Sequence, residues 1–577
     1  MQAETGDRAV VHRGLSADWR LFLILLGIFG IGLSQPFFGL IGENPTFFVA
    51  HRSGTADIIG LTLLIFLGPA AAVWSIAFAV ERLAPSLARP LLPVGMALLT
   101  AVALAGYAWR PLDLQIEVAL PLVILLSILA WVALRMDLVQ RLMINLGWIS
   151  FIFPVLFLGL SPVSGLLGGN GSSSSESGSL PDALNDTSVA LIVFDELPLA
   201  TMLDEEGQID RARLPNFARL AEMSTWYRNA TTVSTQTSVA VPALLSGELR
   251  TDDPAPTVSS YPSNLFTELA TTHRVEAWES VTRLCPSDVC EFPDLGWSLL
   301  LDDSLIVVQN QVLPPGVAQR WVPNINNQWT RFRQPRVTRP RDVTAEDDWE
   351  FPWDDLEQDL QGQFRSLTGQ IGTLDEPAFY YEHVLLPHSP WYFRPDGSGN
   401  EAEWIPWLDD NTWPVGPDHR RGVLMYAMQL ELTDMLLGEF LDSVEATGRM
   451  DEMLIVVVAD HGGALQEGLP ARTLLPETTA ELAAVPLFVK YPGQSVGVED
   501  DRLAEITDVF PTIMDVMGIG ELPAERMAGH RLNGEPPPGR TQILSVDPQQ
   551  FQAAVDRFHS FVPPGQSAEP LFDALPR

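Results

Sequence analysis

Two short apolar runs each end in side chains that can bind a metal ion. Residues 189–194 lead into Asp195, and residues 454–459 lead into Asp460 and His461. Unbroken runs of this length, rich in β-branched residues, are typical of strands buried on both faces of a parallel sheet. Because ligands bind beyond the carboxyl ends of such strands, one crevice is predicted to hold Asp195, Asp460 and His461. Carboxylate oxygens and an imidazole nitrogen together suit a divalent metal ion.

The composition divides the chain into two parts. The first 180 of its 577 residues are nearly neutral, and the remainder carries almost the whole formal net charge of −37. So many carboxylates repel a phosphate backbone, and nucleic acid is therefore not expected as a partner. At this length the chain has room for more than one domain.

Five apolar stretches near the N-terminus are each long enough to cross a lipid bilayer, which takes about 20 residues. They predict an integral membrane protein whose N-terminal domain, residues 1–162, consists of five transmembrane helices. We find no convincing cleavage site after the first stretch, which indicates a retained anchor rather than a signal peptide. The stretches lie near 20–41, 57–80, 90–108, 116–134 and 142–161.

The arginines of the short loops predict the orientation in the membrane. Seven of them belong to the N-terminus and to the second and fourth loops, and two belong to the first and third loops. Because cytoplasmic loops are enriched in basic residues, we expect a cytoplasmic N-terminus and, after five crossings, an extracytoplasmic catalytic domain. The seven are Arg8, Arg13, Arg20, Arg82, Arg89, Arg135 and Arg141, and the two are Arg52 and Arg110.

The part beyond the membrane helices divides into three segments. Residues 163–186 are rich in glycine and serine and predict a flexible linker. Over residues 187–540, apolar runs alternate with helical patterns, which favours an α/β domain with a mostly parallel sheet covered by helices. Residues 541–577 are assigned to a C-terminal extension.

Two segments of the outer part carry weaker signals. Cys285 and Cys290 lie where disulfides persist, and a local disulfide is favoured over a metal pair because no second Cys or His pair completes a metal site. Residues 315–355 are rich in Trp, Pro and Arg. Their arginines could contact anionic lipid headgroups, but we favour a solvated surface loop.

The segment between the two apolar runs, Thr237 to Gly247, resembles the sulfatase branch of the alkaline-phosphatase superfamily. That family places its nucleophile at the start of a helix, ten residues before a glycine, and Thr237 has this spacing. Asp460-His461-Gly462 resembles the family's second metal motif. The resemblance implies an alkaline-phosphatase-like fold for the α/β domain.

Further segments extend the resemblance over roughly residues 187–535. Pro387-His388-Ser389-Pro390 resembles the family's substrate-side histidine motif. Residues 485–493, followed by residues 508–515, resemble its closing segment. Five motifs in the family's order make a chance match very improbable.

The residue at the nucleophile position departs from true sulfatases. They need cysteine or serine there, with an arginine four residues later, for conversion to formylglycine; this chain has Thr237 and Val241. A threonine nucleophile resembles the phospho-transferring members, which include lipoteichoic acid synthases and lipid A phosphoethanolamine transferases. Those members also have five membrane helices before an outward-facing catalytic domain. Their pattern implies that one divalent ion, zinc or manganese with calcium or magnesium as alternatives, is bound by Asp195, Thr237, Asp460 and His461.

The chemistry of these residue types suits phosphoryl transfer. A threonine hydroxyl is a poor nucleophile until a metal ion or a base lowers its pKa, so Thr237 needs the ion. At a helix start, the backbone N–H groups after Thr237 would face phosphate oxygens. His388 would bind a phosphate oxygen or protonate the leaving alcohol. Thr235 is the alternative nucleophile, and Glu196 and Lys490 are possible accessory residues.

Three functions remain open at this point. The first is a membrane-anchored phosphotransferase or phosphodiesterase that acts on phospholipid or on a phosphorylated glycan of the cell envelope. The second is a sulfuric-ester hydrolase, which Thr237 disfavours. The third is a catalytically lapsed interaction protein, which the retention of all four metal-type residues disfavours.

Overall fold

The structure is a computed structural model of the whole chain, which folds into two units. Unit 1 comprises residues 1–169 and 295–333, and unit 2 comprises residues 170–294 and 334–577. The residues that the structure describes are 18–109, 116–167, 187–252, 254–290, 295–323, 325, 332, 358–373, 376–400, 412–519, 527–535 and 537–575. The predicted Gly/Ser linker therefore lies almost entirely outside the described residues.

Unit 1 is helical. A π-helical turn at Gly30–Ser34 joins the first two helices, so they form one continuous rod. The helices are α1 Trp19–Phe29, α2 Gln35–Gly42, α3 Thr46–Ala50, α4 Thr55–Leu83, α5 Pro85–Trp109, α6 Ile116–Ala133, α7 Asp137–Ile149 and α8 Ile152–Leu160, followed later in the chain by α12 Gly296–Val312 and α13 Pro315–Trp321.

The helices of unit 1 agree only in part with the five transmembrane stretches predicted from the sequence. Each stretch coincides with helical residues, but three segments are long and apolar enough to cross a membrane: 19–42, 55–83 and 137–160. The apolar helices at 90–106 and 117–133 are shorter than that.

Residues 295–333 were expected to belong to the domain predicted for residues 187–540. In the structure they group with the N-terminal helices, where Leu300, Ile306 and Val307 of α12 join the apolar core of unit 1. Helix α12 has 17 residues, and its buried positions recur with helical spacing. The chain therefore passes between the two units three times.

Unit 2 is built on a seven-stranded sheet. Its strands are β1 Val189–Asp195, β2 Thr225–Thr231, β3 Arg274–Trp278, β4 Ala378–Pro387, β5 Leu454–Ala459, β6 Leu487–Lys490 and β7 Val498–Glu505. Their order in the sheet is β3-β4-β1-β5-β6-β2-β7. Only the pairs that involve β6 are antiparallel; the other described pairs are parallel, which confirms the mostly parallel α/β sheet.

The two apolar runs of the sequence form adjacent central strands. Strands β1 and β5 pair in parallel from Val189 opposite Leu454 to Phe194 opposite Ala459, and every residue of both is buried. Two parallel neighbours in register must end at the same edge of the sheet. This pairing brings Asp195 and Asp460 together, as predicted.

Helices flank the sheet of unit 2. They are α9 Pro215–Met223, α10 Thr237–Ser246, α11 Leu265–Leu269, α14 Gln363–Gln370, α15 Pro417–Ala446, α16 Thr479–Ala483, α17 Val509–Val516, α18 Pro548–Phe561 and α19 Ala568–Asp573. The longest helix, α15, is mostly buried and packs against β4 and α9. The disulfide between Cys285 and Cys290 is present, which confirms the local bridge favoured from the sequence.

Candidate metal centre and anion site

A buried cluster of three metal-type side chains lies at the carboxyl ends of β1 and β5. One potential ligand atom from each of Asp195, Asp460 and His461 lies within 4.8 Å of the other two. Backbone hydrogen bonds join the strand ends on both sides of the cluster, from Asp460 N to Phe194 O (3.0 Å) and from Leu197 N to His461 O (3.0 Å). The main chain itself therefore fixes the distance between the ligands.

The two carboxylates each keep one oxygen without a protein partner. Asp460 Oδ1 accepts hydrogen bonds from the backbone N–H groups of His461 (2.6 Å) and Glu196 (3.2 Å). Asp460 Oδ2 and Asp195 Oδ1 are buried and have no hydrogen-bond partner among the described residues. Buried polar atoms without partners are rare and call for an explanation such as a bound ion.

Hydrogen bonding also sets the tautomer of His461. Its Nδ1 lies 2.9 Å from the carbonyl oxygen of Gly462, which can only accept, so Nδ1 carries the proton and Nε2 presents a lone pair. Burial lowers the pKa of His461, which favours the neutral ring that metal binding needs. Gly462 packs so closely that a Cβ there would lie 1.9 Å from Glu481 O, which explains the glycine after the histidine.

Thr237 is the first residue of α10 and faces the same cluster. Its Oγ1 lies 3.2 Å from His461 Nε2, and the residue is buried. Helix α10 has ten residues and ends at Gly247, whose φ of +68° is a left-handed conformation that glycine adopts readily. The spacing of ten residues from threonine to glycine is therefore the length of this helix.

The electrostatics of the cluster fit a bound cation. Burial raises the pKa of Asp460 to about 7. Burial, with the nearby charge of Asp460, raises the pKa of Asp195 to about 6. Two buried carboxylates next to each other disfavour their own ionisation, and a divalent ion would reverse that effect. The unpartnered oxygens, the lone pair that His461 Nε2 presents toward Thr237 and these pKa values together indicate a donor set that fits one divalent ion.

A second cluster lies beside the first and contains Glu196, Arg472 and His388. Arg472 Nε lies 3.2 Å from Glu196 Oε1, and Arg472 Nη2 donates to His388 Nε2. His388 Nε2 also lies 3.7 Å from Glu196 Oε2. Burial acts to raise the pKa of Glu196, but the charge and the hydrogen bond of Arg472 and the two neighbouring histidines together outweigh burial and lower the pKa to about 2. Glu196 therefore serves as the anionic partner of Arg472.

His388 is held by contacts on both sides of its ring. Its Nδ1 contacts the carbonyl oxygen of Ser389. Its Nε2 contacts the guanidinium of Arg472. Through these contacts His388 positions the arginine.

His383 lies behind Asp195, on the side away from Asp460. Its Nε2 is 3.6 Å from Asp195 Oδ2, and its Nδ1 is hydrogen-bonded to the hydroxyl of Ser280. Burial lowers the pKa of His383 to about 3, so the ring is neutral. Ser280 follows the end of β3, and β3 pairs with the strand that carries His383, so all three side chains lie at one edge of the sheet.

The structure thus brings together most of the residues predicted from the sequence, but not Lys490. Asp195, Thr237, Asp460 and His461 form the first cluster, and Glu196 and His388 belong to the second. Lys490 lies opposite Ile455, at the start of β5, and its amine donates to the carbonyl oxygens of Met450 and Met453. It is therefore at the far end of the strand, where it caps backbone carbonyls.

Sequence reasoning missed Arg472 and Ser280. Arg472 lies in an irregular loop, eleven positions after His461, and no periodic pattern marks it. The one feature of the sequence that could have indicated Arg472 is its position shortly after the second metal motif. For Ser280, the rule that strand ends share an edge would have sufficed once β3 was recognised.

Replacing His383 by glutamine is expected to weaken metal binding by about 10- to 100-fold, the usual effect of losing a group that orients a ligand. Isothermal titration of the metal-free, full-length protein with Zn²⁺ and Mn²⁺ would measure this. His273→Gln is the matched control, because His273 is also buried but contacts Thr187 O, before the start of β1. Equal affinities for His383→Gln and wild type would show that His383 does not orient the ligand Asp195.

Part of the chain is similar to a known protein family. Residues 324–519 match the family model named Sulfatase. The matched region contains His388, Asp460, His461 and Arg472 and begins after Thr237.

Two curated relatives illustrate the range of the similarity. Arylsulfatase K of Danio rerio is 30% identical over 124 residues, which are 21% of this chain and 22% of that protein. Lipoteichoic acid synthase of Staphylococcus saprophyticus is 27% identical over 148 residues, 24% of this chain and 21% of that protein. The chain thus spans about a fifth of the length of each of these relatives. Among solved structures, a phosphonate monoester hydrolase of Agrobacterium radiobacter aligns with a TM-score of 0.40 at 17% identity, over 61% of this chain and 79% of that one.

Proposed function

We propose that the protein is a membrane-anchored, metal-dependent enzyme that cleaves phosphoester bonds with Thr237 as its nucleophile. One observation carries this proposal. The hydroxyl of Thr237 begins a helix and lies 3.2 Å from His461 Nε2, within a buried set of two aspartates and a histidine. The similarity to a lipoteichoic acid synthase supports phosphoester chemistry at an envelope or lipid substrate.

The proposal assigns the metal to Asp195, Asp460, His461 and Thr237. Zinc or manganese suits this mixture of oxygen and nitrogen donors, and magnesium or calcium suits the carboxylates alone. When bound, a divalent ion at this position supplies charge neutralisation and a lowered hydroxyl pKa. We assign no second ion, because the described residues contain one such group of potential ligands.

The chain's own residues then have separate tasks. The Thr237 hydroxyl gives up its proton to solvent and its oxygen forms a bond to phosphorus, while the bond to the leaving group breaks and the released alkoxide takes a proton from solvent. Water or an acceptor alcohol then loses a proton and displaces the threonine, which is released as the hydroxyl. The N–H groups in the first turn of α10 face the oxygens of the attacked group. Arg472 binds a non-bridging oxygen and neutralises its charge. His388 contacts Arg472 through Nε2, so we assign it to orienting Arg472.

The membrane placement is part of the same proposal. Three segments of unit 1 are long and apolar enough to span a bilayer, and the helices at 90–106 and 117–133 would complete five crossings. The arginine distribution then places the catalytic domain outside the cytoplasm. Attachment to the membrane confines the enzyme near lipid-linked substrates and raises their effective concentration.

Sulfuric-ester hydrolysis is the second candidate function. The match to the Sulfatase family model and the similarity to arylsulfatase K favour it. Thr237 disfavours it, because threonine cannot be converted to the aldehyde that true sulfatases use. A substrate comparison separates the two functions.

The experiment uses the purified full-length protein in detergent, with a chromogenic phosphodiester and the matching sulfate ester as substrates. Each is assayed after chelation and after adding Zn²⁺ or Mn²⁺. Metal-dependent cleavage of the phosphodiester, with at most weak sulfate cleavage, is the expected result. Faster cleavage of the sulfate ester would overturn the proposal in favour of the second candidate.

Replacing Arg472 by glutamine is expected to raise KM for the phosphodiester and to reduce kcat/KM by about 10- to 100-fold, because a charge-assisted hydrogen bond to phosphate contributes roughly 1.5–3 kcal/mol. Arg472→Lys should recover only part of this loss, since lysine lacks the planar fork. Arg274→Gln is the control, because Arg274 is an exposed arginine at the start of β3. An unchanged kcat/KM for Arg472→Gln would remove Arg472 from the substrate site.

A further inference from the structure

The segment 295–333 is held firmly on unit 1. In addition to the apolar contacts of α12, Asp303 and His51 form a buried hydrogen bond of 2.9 Å between Asp303 Oδ2 and His51 Nε2. Asp303 Oδ1 accepts a second bond of 2.9 Å from the backbone N–H of Phe332, near the end of the segment. These contacts fix which face of α12 packs against the other helices of unit 1.

The opposite face of α12 is apolar and exposed. Trp297, Leu301 and Leu305 recur at intervals of four residues, so they lie on successive turns along one side of the helix. Their exposed fractions are 41%, 36% and 49%. Aligned large apolar side chains with this exposure indicate a binding surface rather than a solvated face.

This exposed face continues onto the surface of a membrane-spanning candidate. The indole of Trp297 lies against Gly60 of α4, where a Cβ would come within 2.8 Å of Trp297 Cζ2. On the same face of α4, Ile59, Leu63 and Leu64 are exposed large apolar side chains. The apolar stripe of α12 and the apolar surface of α4 therefore form one continuous patch within unit 1.

We propose that α12 is an interfacial helix whose Trp297, Leu301 and Leu305 edge contacts the acyl chains of the lipid bilayer. The helix carries no lysine or arginine that could bind anionic headgroups. We therefore assign its contact to the hydrocarbon region of the bilayer. Tryptophan at one end suits the boundary between lipid and water. The inference rests on the proposed membrane placement of α4 and is independent of the chemistry proposed for Thr237.

Such a helix attaches the catalytic chain to the membrane at a second place. The chain enters this segment from residue 294 of unit 2 and returns to unit 2 at residue 334. Together with the connection near residue 169, the domain that carries the metal-type cluster has three covalent links to the membrane unit.

Fluorescence quenching in lipid nanodiscs tests this inference on the full-length protein. Both native cysteines are in the disulfide, so a single introduced cysteine can be labelled with an environment-sensitive fluorophore. The test variant is Leu301→Cys, and the quenchers are acyl-chain spin-labelled phospholipid and aqueous iodide. Leu63→Cys on α4 is the lipid-exposed reference, and Val496→Cys, 72% exposed in unit 2, is the water-exposed reference.

The spin-labelled lipid is expected to quench the probe at residue 301 about as strongly as the probe at residue 63, and at least about twofold more than the probe at residue 496. Quenching at residue 301 by iodide alone would show a solvated helix and overturn the inference. Shielding of that probe from both quenchers would show a protein contact, such as a second copy of the chain, and would also overturn it. Absence of lipid quenching at residue 63 would refute the membrane placement itself, whereas the phosphodiester assay on the same samples reports separately on the proposed catalysis.

Discussion

Replacing Thr237 by alanine is expected to lower the rate of phosphodiester cleavage by roughly four orders of magnitude, the scale on which loss of an activated nucleophile acts. The reason is positional. Thr237 Oγ1 is the hydroxyl that lies 3.2 Å from His461 Nε2, at the start of α10 and inside the buried cluster. The measurement is kcat/KM for the chromogenic diester with saturating Zn²⁺ or Mn²⁺.

Two control variants make this result specific. Thr237→Ser keeps a hydroxyl at the same position and should retain measurable, metal-dependent activity. Thr235→Ala removes the alternative nucleophile, which precedes the helix, and should leave the rate within about threefold of wild type, as expected for a residue that does not react. Loss of activity in Thr235→Ala with retention in Thr237→Ala would reverse the assignment.

A covalent intermediate provides an independent check. Acid quenching during turnover, followed by proteolysis and mass spectrometry, should find phosphate or a phosphoester group on the peptide that contains residue 237. The adduct should be absent from Thr237→Ala. An adduct on another peptide of the wild-type protein would show that a different residue is the nucleophile.

The central strands and their metal-type residues could be predicted because their cause is local and regular. A fully apolar run of six residues, such as residues 454–459, has few stable placements other than a buried strand, and Asp460 then follows at its end. Helix α10 was expected from the resemblance, through the spacing from Thr237 to Gly247, and that spacing is the length of the helix. These features depend on short stretches of sequence.

The parts that could not be predicted depend on contacts between distant stretches. Arg472 reaches Glu196 across 276 positions, from a loop without periodicity. The sequence predicts Lys490 as a possible accessory residue of the site. Strand β6 runs antiparallel to β5, so Lys490 at its end lies beside the start of β5, away from Asp460. The grouping of residues 295–333 with unit 1 depends on the buried pair of His51 and Asp303, whose side chains are 252 positions apart.

The second large effect is expected from Asp460→Asn, which should weaken Zn²⁺ or Mn²⁺ binding by more than about 100-fold, beyond the effect of losing an orienting group, and abolish activity with it. The amide oxygen can still accept the backbone hydrogen bonds from His461 and Glu196, so the local fold should survive. What is lost is the negative charge of the carboxylate, whose Oδ2 lies 3.5 Å from His461 Nε2. Metal content by mass spectrometry and isothermal titration measure the loss.

Thermal unfolding distinguishes a metal ligand from a structural aspartate at this position. A buried carboxylate oxygen without a partner destabilises the metal-free fold, so metal-free Asp460→Asn should melt at or above the temperature of metal-free wild type. Added metal should raise the melting temperature of the wild type and leave that of the variant unchanged.

Asp434→Asn is the matched control, since Asp434 is also buried but its oxygens accept hydrogen bonds from Asn216 and Phe217. Its metal affinity should equal that of wild type while its melting temperature falls, because the amide nitrogen replaces an accepting oxygen. If metal-free Asp460→Asn were instead destabilised as strongly as Asp434→Asn and still bound metal, Asp460 would be a structural residue.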